Sequence, residues 1–346
     1  MKNRSTKTIK KTLFILSGDY SSDNYGANLI YEIKKIDNEI DFLGIGGKNM
    51  EKAGLNNYAD LNKIYNMGFY KVIKNLFYYL QLKNIITKKI IDTKPFAIIC
   101  IDYPGFNLRL SKSIKKNKAI SSIPMYYYIC PQVWAWGKHR LKTLTKNFDS
   151  LISILPFEKI WYEKNKLEIQ YFGHPIMDNK VNNKSLVREK IVERVKTVGF
   201  FPGSRLEEIK IHLPIFIKVI KNIKDKNIKF IISIVPHIPK KIFKKYLDDN
   251  IIFSRKTSKI IFSRISFAVM VSGSITMEAL FYKIPGLVVY RTNWIDWIII
   301  KLITNIKFIA MPNIINNSML FPELHQWNVN HYNIKKYIIK QLKLKN

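Results

Sequence analysis

Hydrophobic positions in this chain fall into short dense runs, separated by longer stretches with a helical beat. The first half carries runs at Thr12–Leu16, Asp41–Ile45, Phe96–Ile101, Met125–Ile129 and Leu151–Leu155. Each is strand-length and apolar at consecutive positions, as a strand buried on both faces must be. Stretches such as Ala27–Lys35 and Ile73–Ile91 repeat their apolar residues at helical spacing. A polar segment, "GHPIMDNKVNNKSLVREK", interrupts the pattern. The runs then resume at Thr197–Phe201, Phe230–Val235, Ile251–Phe253, Phe267–Val271 and Gly286–Tyr290. This alternation predicts an α/β protein with two Rossmann-like domains facing each other across a cleft. The expected boundaries are 1–178 and 179–330, with a tail at 331–346 packing back on the first domain. No internal repeat is visible. Parallel sheets bind ligands at the carboxyl ends of their strands, so the strand–turn–helix junctions are where chemistry belongs.

One helical stretch, "NMGFYKVIKNLFYYLQLKNII" (66–86), is richer than a core stripe requires. Phe69, Val72, Ile73, Leu76, Phe77 and Leu80 hold the i, i+3, i+4 rhythm. Tyr70, Tyr78, Tyr79 and Leu82 widen it, and Lys71, Lys74 and Lys83 punctuate it. Two readings stay open: an interfacial helix dipping into a bilayer surface, or a large buried helix of the first domain.

Charge sharpens the first of these. Over 346 residues the formal net charge is +33, and only nine of the 58 basic residues are arginine. Such a surface attracts anions. Scattered lysine without a dense basic arm or an Arg-led motif favours a membrane surface or a general solvated coat over specific nucleic-acid recognition. "TLFIL" is too short for a signal-peptide core, and no apolar run approaches the ~18 residues of a membrane span. "WIDWIIIKLITNI" comes nearest and is broken by Asp296 and Lys301. The two cysteines, Cys100 and Cys130, each end an apolar run without a CxxC partner, which reads as two buried thiols.

Five junctions carry candidate chemistry. "LSGDYSSDNYGANLI" (16–30) is a small-residue turn into a helix, suited to close approach by a ligand and equally to ordinary helix capping. "CIDYPGFNLRL" (100–110) delivers Asp102 to a strand end, where a carboxylate can take a proton from a hydroxyl or simply close an Asx-turn. "ICPQVWAWGKHRLK" (129–142) sets Trp134 and Trp136 before Lys138, His139 and Arg140, as a pocket lining or as packing. "FFPGSRLEEI" (200–209) places scarce Arg205 at a helix start, where the dipole disfavours a cation. It therefore calls for an anion, a protein carboxylate or a ligand phosphate. "VSGSITMEALFYKIPGLVVYR" (271–291) offers Ser272, Gly273 and Ser274 as a diphosphate cradle, Glu278 within reach of a ribose, and a strand ending in Arg291.

In order along the chain, "SGDYSSD", "GIGGKNMEKAG", "MGFYKVI", "IDYPGFN", "PQVWAW", "LPFEKIWY", "GHPIMD", "PGSRLEEI", "SGSITMEAL", "MPNII" and "PELHQ" resemble the lipid-A-disaccharide synthase family, from Leu13 to about Trp327. The resemblance implies a GT-B glycosyltransferase of the inverting type. Such an enzyme joins UDP-2,3-diacylglucosamine to 2,3-diacylglucosamine 1-phosphate (lipid X), using neither metal nor cofactor. It implies work at the cytoplasmic face of the bacterial inner membrane, no nucleic-acid partner, and compatibility with an oligomer. Carried over by position, Asp102 is the expected base. Ser204, Arg205, Ser272, Gly273, Ser274, Thr276, Glu278, Asn313 and Gln326 face the donor. Asp19, Ser21, Asp23, Trp134 and Trp136 lie on the acceptor side. The family's usual Gly-Glu-x-Ser-Gly-Asp is Gly18-Asp19-Tyr20-Ser21-Ser22-Asp23 here, so Ser22 is expected to be strained if that position needs positive φ. His325, where the family has leucine, reads as a surface or packing residue. A UDP-sugar 2-epimerase or another GT-B transferase is the alternative within the fold. A basic nucleic-acid-binding protein is the alternative outside it.

Overall fold

The computed structural model describes residues 11–59, 76–135, 137–175, 196–225, 227–239, 241–246, 248, 250–303 and 307–343. The chain divides into two compact units, Met1–Pro175 and Ile176–Asn346.

The first unit is built on seven parallel strands: β1 (Thr12–Ser17), β2 (Asp41–Ile45), β3 (Leu55–Asn57), β4 (Ala97–Ile101), β5 (Met125–Tyr128), β6 (Ser150–Ser153) and β7 (Gln170–Tyr171). Their order is β3-β2-β1-β4-β5-β6-β7. The chain starts in the middle, steps outward to β3, then crosses to β4, so the switch point lies between β1 and β4. Its helices are α1 (Tyr20–Ile36), α2 (Lys48–Ala53), α3 (Leu76–Thr93), α4 (Pro104–Lys116), α5 (Leu141–Asn147) and α6 (Pro156–Lys164). Two buried clusters cover the two sheet faces, one with Phe14, Ile98 and Tyr127, the other with Leu13, Ile15 and Ile30. Cys100 and Cys130 are free and buried, as their apolar flanks predict.

The second unit repeats the plan with β8 (Lys196–Phe201), β9 (Ile228–Ser233), β10 (Ile251–Ser254), β11 (Phe267–Val271), β12 (Gly286–Tyr290) and β13 (Glu323–His325). The order β10-β9-β8-β11-β12-β13 puts the switch point between β8 and β11. Its helices are α7 (Leu206–Lys221), α8 (Lys241–Lys244), α9 (Ser258–Phe262), α10 (Ile275–Phe281), α11 (Trp294–Ile303), α12 (Met311–Asn316) and α13 (His331–Leu342). The tail contributes α13 to the core of this unit. Ile334, Ile338 and Leu342, spaced i, i+4, i+8 along α13, join the core that includes Leu213 and Phe216 of α7. Burying each such side chain contributes about 2 kcal/mol. The ten strongest runs appear as strands. Edge strands β3, β7 and β13 were not expected, because two or three residues carry no periodicity to read.

The first loop interlocks with α2. Asp23 is 1% exposed. Its carboxylate accepts from the backbone N–H groups of Gly47 (2.7 Å), Met50 (3.0 Å) and Asn49 (3.1 Å). Gly47, the residue preceding α2, has no side chain to cap it, so a residue from α1 supplies the anion its N-terminus favours. The carboxylate of Asp23, a residue expected on the acceptor side, is thus turned into the fold. Asp23→Ala should lower unfolding free energy by about 3 kcal/mol, since three N–H groups lose a charged acceptor. Urea denaturation measures this, and an unchanged midpoint would refute the cap.

Candidate functional site

At the first switch point, β1 and β4 deliver their ends side by side. Gly18 follows β1, and a Cβ there would overlap the ring of Tyr103, which follows β4. Only glycine permits that approach. Asp19 caps α1: its Oδ1 accepts from Ser22 N (2.7 Å), and Asp19 N donates to Ser22 Oγ (3.0 Å). Ser22 Oγ also bonds Ser17 Oγ at 2.8 Å. Ser22 sits inside α1 and is absent from the positive-φ residues, so the expected strain does not arise. Its hydroxyl completes a capping box with the shortened acid. Ser21 is half-buried on the first turn of the same helix.

Asp102 and Tyr103 adopt left-handed φ of 47° and 51° in succession. Asp tolerates that region and Tyr does not, so the surroundings must hold the turn. They do so through the Asp102 carbonyl, which accepts from Asn107 Nδ2 (2.7 Å) and Tyr127 Oη (2.8 Å). Asp102 N donates to Tyr128 O at 3.0 Å. The carboxylate stays half-buried at the strand end. Tyr103 Oη donates to Tyr79 Oη of α3 at 2.7 Å. On α3, Phe77 and Leu80 are exposed apolar residues. Phe69, Val72 and Ile73, and the Leu76 side chain, lie outside the described residues, as does Trp136.

Two strands further along, Trp134 and Glu158 meet. Trp134 Nε1 donates to Glu158 Oε1 at 2.9 Å, and its ring stands edge-on to Phe157 at 5.0 Å. The "VWAW" and "LPFEK" motifs therefore grip each other. Glu158 is 1% exposed and its Oε2 has no hydrogen-bond partner. Burial pushes its carboxyl up to about 7, against the opposing pull of Trp134 and the Leu155 and Ile154 backbone.

In the second unit, the loop after β8 turns at Gly203, whose φ of 105° and closeness to Glu208 both exclude a side chain. Glu208 Oε2 accepts from Ser204 N (3.0 Å) and Arg205 N (3.2 Å). His237 Nε2 donates to Ser204 O at 2.7 Å. Arg205 is the N-cap of α7, its side chain 57% exposed with Nη1 3.8 Å from Glu208 Oε1. Part of the anion it requires is thus a neighbouring carboxylate. His212, fully buried one turn later, accepts from Arg291 N through Nε2 (3.1 Å). Its Nδ1–H therefore donates to Glu208 O (2.8 Å), fixing the tautomer. Burial holds His212 down to about 4, so it stays neutral at physiological pH. The imidazole pins the Arg205 helix to the end of β12. Burial raises the Tyr290 hydroxyl, with the Glu208 charge adding and the Arg205 charge opposing.

The Ser272–Ser274 turn follows β11. Ser272 Oγ donates to Ile309 O at 2.7 Å. Gly273 is exposed, and a Cβ there would meet nothing within 4 Å, so the protein's own packing does not demand glycine. Ser274 is the half-buried residue preceding α10. Glu278 accepts from Ser258 Oγ, and burial raises its carboxyl. Two more expected contacts turn inward. Thr276 is fully buried with Oγ1 on Gly273 O (2.8 Å), so it shapes the turn rather than lining it. Asn313 is fully buried, its amide bonded to Phe321 N, Phe321 O and Glu323 Oε1. Gln326, at φ 48°, accepts from Thr292 N (3.3 Å), while its buried Nε2 has no partner. His325 bonds Glu323 Oε2 at 2.9 Å and stands against Trp297, a packing role. Glu158, Glu208 and His212 went unnoticed in the sequence, although each is a polar residue set in an apolar helical face.

Glu158 generates a pH prediction. Its folded-state pKa of about 7 lies above the ordinary 4.5. The folded chain thus holds a proton that the unfolded chain releases, and the stability this carries is full below about 4.5 and lost as pH rises through 7. Glu158→Gln should gain on the parent protein by up to about 3 kcal/mol between pH 4.5 and 8. Urea unfolding at both pH values measures it, and a pH-independent gap would contradict a protonated buried carboxyl.

Residues 13–345 match the lipid-A-disaccharide synthetase family. A lipid-A-disaccharide synthase of Rickettsia bellii (strain OSU 85-389) is 34% identical over 328 residues, covering 92% of this chain and 85% of that one. Among solved structures, Methanocaldococcus jannaschii UDP-GlcNAc 2-epimerase in complex with UDP-GlcNAc and UDP is similar with a TM-score of 0.61 at 14% identity, over 97% of this chain and 93% of that one. The glycotransferase of kitacinnamycin is similar at 0.61 and 10% identity, over 96% and 90%. At such identities the likeness is one of fold, the two-domain Rossmann-like α/β class of GT-B proteins. The sequence match runs through both sheets and every junction described above: the chain belongs to the lipid-A-disaccharide synthetase family.

Proposed function

We propose that the chain is an inverting glycosyltransferase that makes lipid A disaccharide 1-phosphate and UDP from UDP-2,3-diacylglucosamine and lipid X. The observation that carries this reading is the family match over residues 13–345. That membership disfavours the epimerase and nucleic-acid readings.

In the proposed mechanism Asp102 takes the proton from the acceptor's 6-hydroxyl as its oxygen attacks the anomeric carbon. The bond from that carbon to the diphosphate breaks in the same displacement, so an α-linked donor gives a β-linked product. The left-handed turn at the end of β4 supports this role, because the backbone of Asp102 is hydrogen-bonded in place there. Arg205 neutralises charge growing on the departing diphosphate, with Ser204 and the Ser272–Gly273–Ser274 turn beside it. The open space over Gly273 supports close approach of a phosphate there. Glu278 and Gln326 face the nucleoside, and Asp19, Ser21 and Trp134 shape the acceptor side. Thr276, Asn313 and Asp23 hold these loops from behind. The place of work is the inner face of the inner membrane. Among the described residues no helix is long and apolar enough to cross a membrane.

Two variants test the roles in detergent micelles with defined diacyl donor and lipid X. Asp102→Asn keeps the size and the tolerance of left-handed φ, and should reduce turnover by about 10²-fold or more while UDP-sugar binding persists. Near-normal turnover would sink the base assignment. Arg205→Lys keeps charge but loses the planar fork, and should cost at least about tenfold in kcat/KM. Full activity would show that the fork is not used on diphosphate.

A further inference from the structure

Helix α11 presents an apolar stripe that stays exposed among the described residues. Trp294 is 67% exposed, Ile295 48%, Ile298 47% and Leu302 81%. At helical spacing these four residues fall within an arc of about 100°, one continuous face rather than scattered side chains. The helix is anchored from its other side by Trp297, whose ring meets His325 at 6.0 Å. Lys301 borders the stripe, with Nζ 5.5 Å from the Trp297 ring, its stem lying along apolar surface. Asp296, the helix's one carboxylate, points about opposite the stripe and is held by Asn293 Nδ2 at 2.6 Å. Close by in sequence, Arg291 lies 5.7 Å from the ring of Trp327, which is 79% exposed.

Charge decides what covers such a face. A second copy would bring another +33 against this one. An acidic lipid surface offers hydrocarbon to the stripe and phosphate to the lysines. Ten residues span about 15 Å, half a hydrocarbon core, so the helix suits lying in the interface rather than crossing it. We propose that α11 lies in the surface of an acidic phospholipid bilayer, with Trp294, Ile295, Ile298 and Leu302 among the acyl chains and Lys301 at the phosphates. The proposal does not depend on which sugar is transferred.

The test is co-sedimentation of the full chain with vesicles of phosphatidylglycerol and phosphatidylcholine, or of phosphatidylcholine alone. Ile298→Glu with Leu302→Glu should lower partitioning to the acidic vesicles at least tenfold, with the thermal melt unchanged. Lys301→Gln should lower it about fivefold. Lipids brominated in the acyl chains should quench part of the tryptophan emission, and Trp294→Phe should remove that part. Partitioning of the double variant within twofold of the parent overturns the proposal, as does equal binding of the parent to both vesicle types. A change of oligomeric state in the double variant, read by light scattering without vesicles, overturns it too and assigns the face to a second copy.

Discussion

Both sheets are parallel and covered on both faces, and that constraint governs everything else. A strand buried on each side has no room for a polar side chain along its length. Polar chemistry is displaced to the carboxyl ends, and within those ends to the gap where strand order reverses. Gly18 and Asp102 follow the two strands at one such gap, and Arg205 and the Ser-Gly-Ser turn follow the two strands at the other. The unit pattern is the same twice, yet the charge delivered is opposite: a carboxylate from β4, a guanidinium after β8.

Around each junction the structure spends other polar residues on holding backbone. Tyr127 and Asn107 fix one carbonyl, that of Asp102. Glu208 gathers two N–H groups of the Arg205 loop, and His212 ties that helix to the neighbouring strand end. Left-handed turns and close glycine contacts cost free energy locally, and these buried hydrogen bonds offset it. Preorganisation of this kind leaves less rearrangement to be done when charge develops.

Much of this was legible in the sequence. Dense apolar runs marked ten strands, because a doubly buried strand cannot disguise its composition. Arg205 stood out because lysine fills nearly every other basic position. What stayed hidden was direction. Asp23 and Asp19 look alike in a loop of small polar residues, and only the position of α2 decides that Asp23 faces inward. Asn313 and Thr276 sit in conspicuous motifs, but burial is set by elements distant in sequence. Glu158 could not be paired with Trp134, 24 residues away, without the sheet that brings their strand ends together.

The first loop has a consequence for how such chains diverge. Asp19 and Ser22 satisfy each other, acid to N–H and hydroxyl to N–H, so neither departure from the family pattern stands alone. In a background with glycine at the second position, the shorter acid would lack its reciprocal partner. The Ser22 hydroxyl also reaches Ser17 at the end of β1, so one side chain ties the strand's last residue to the first turn of the helix that follows it.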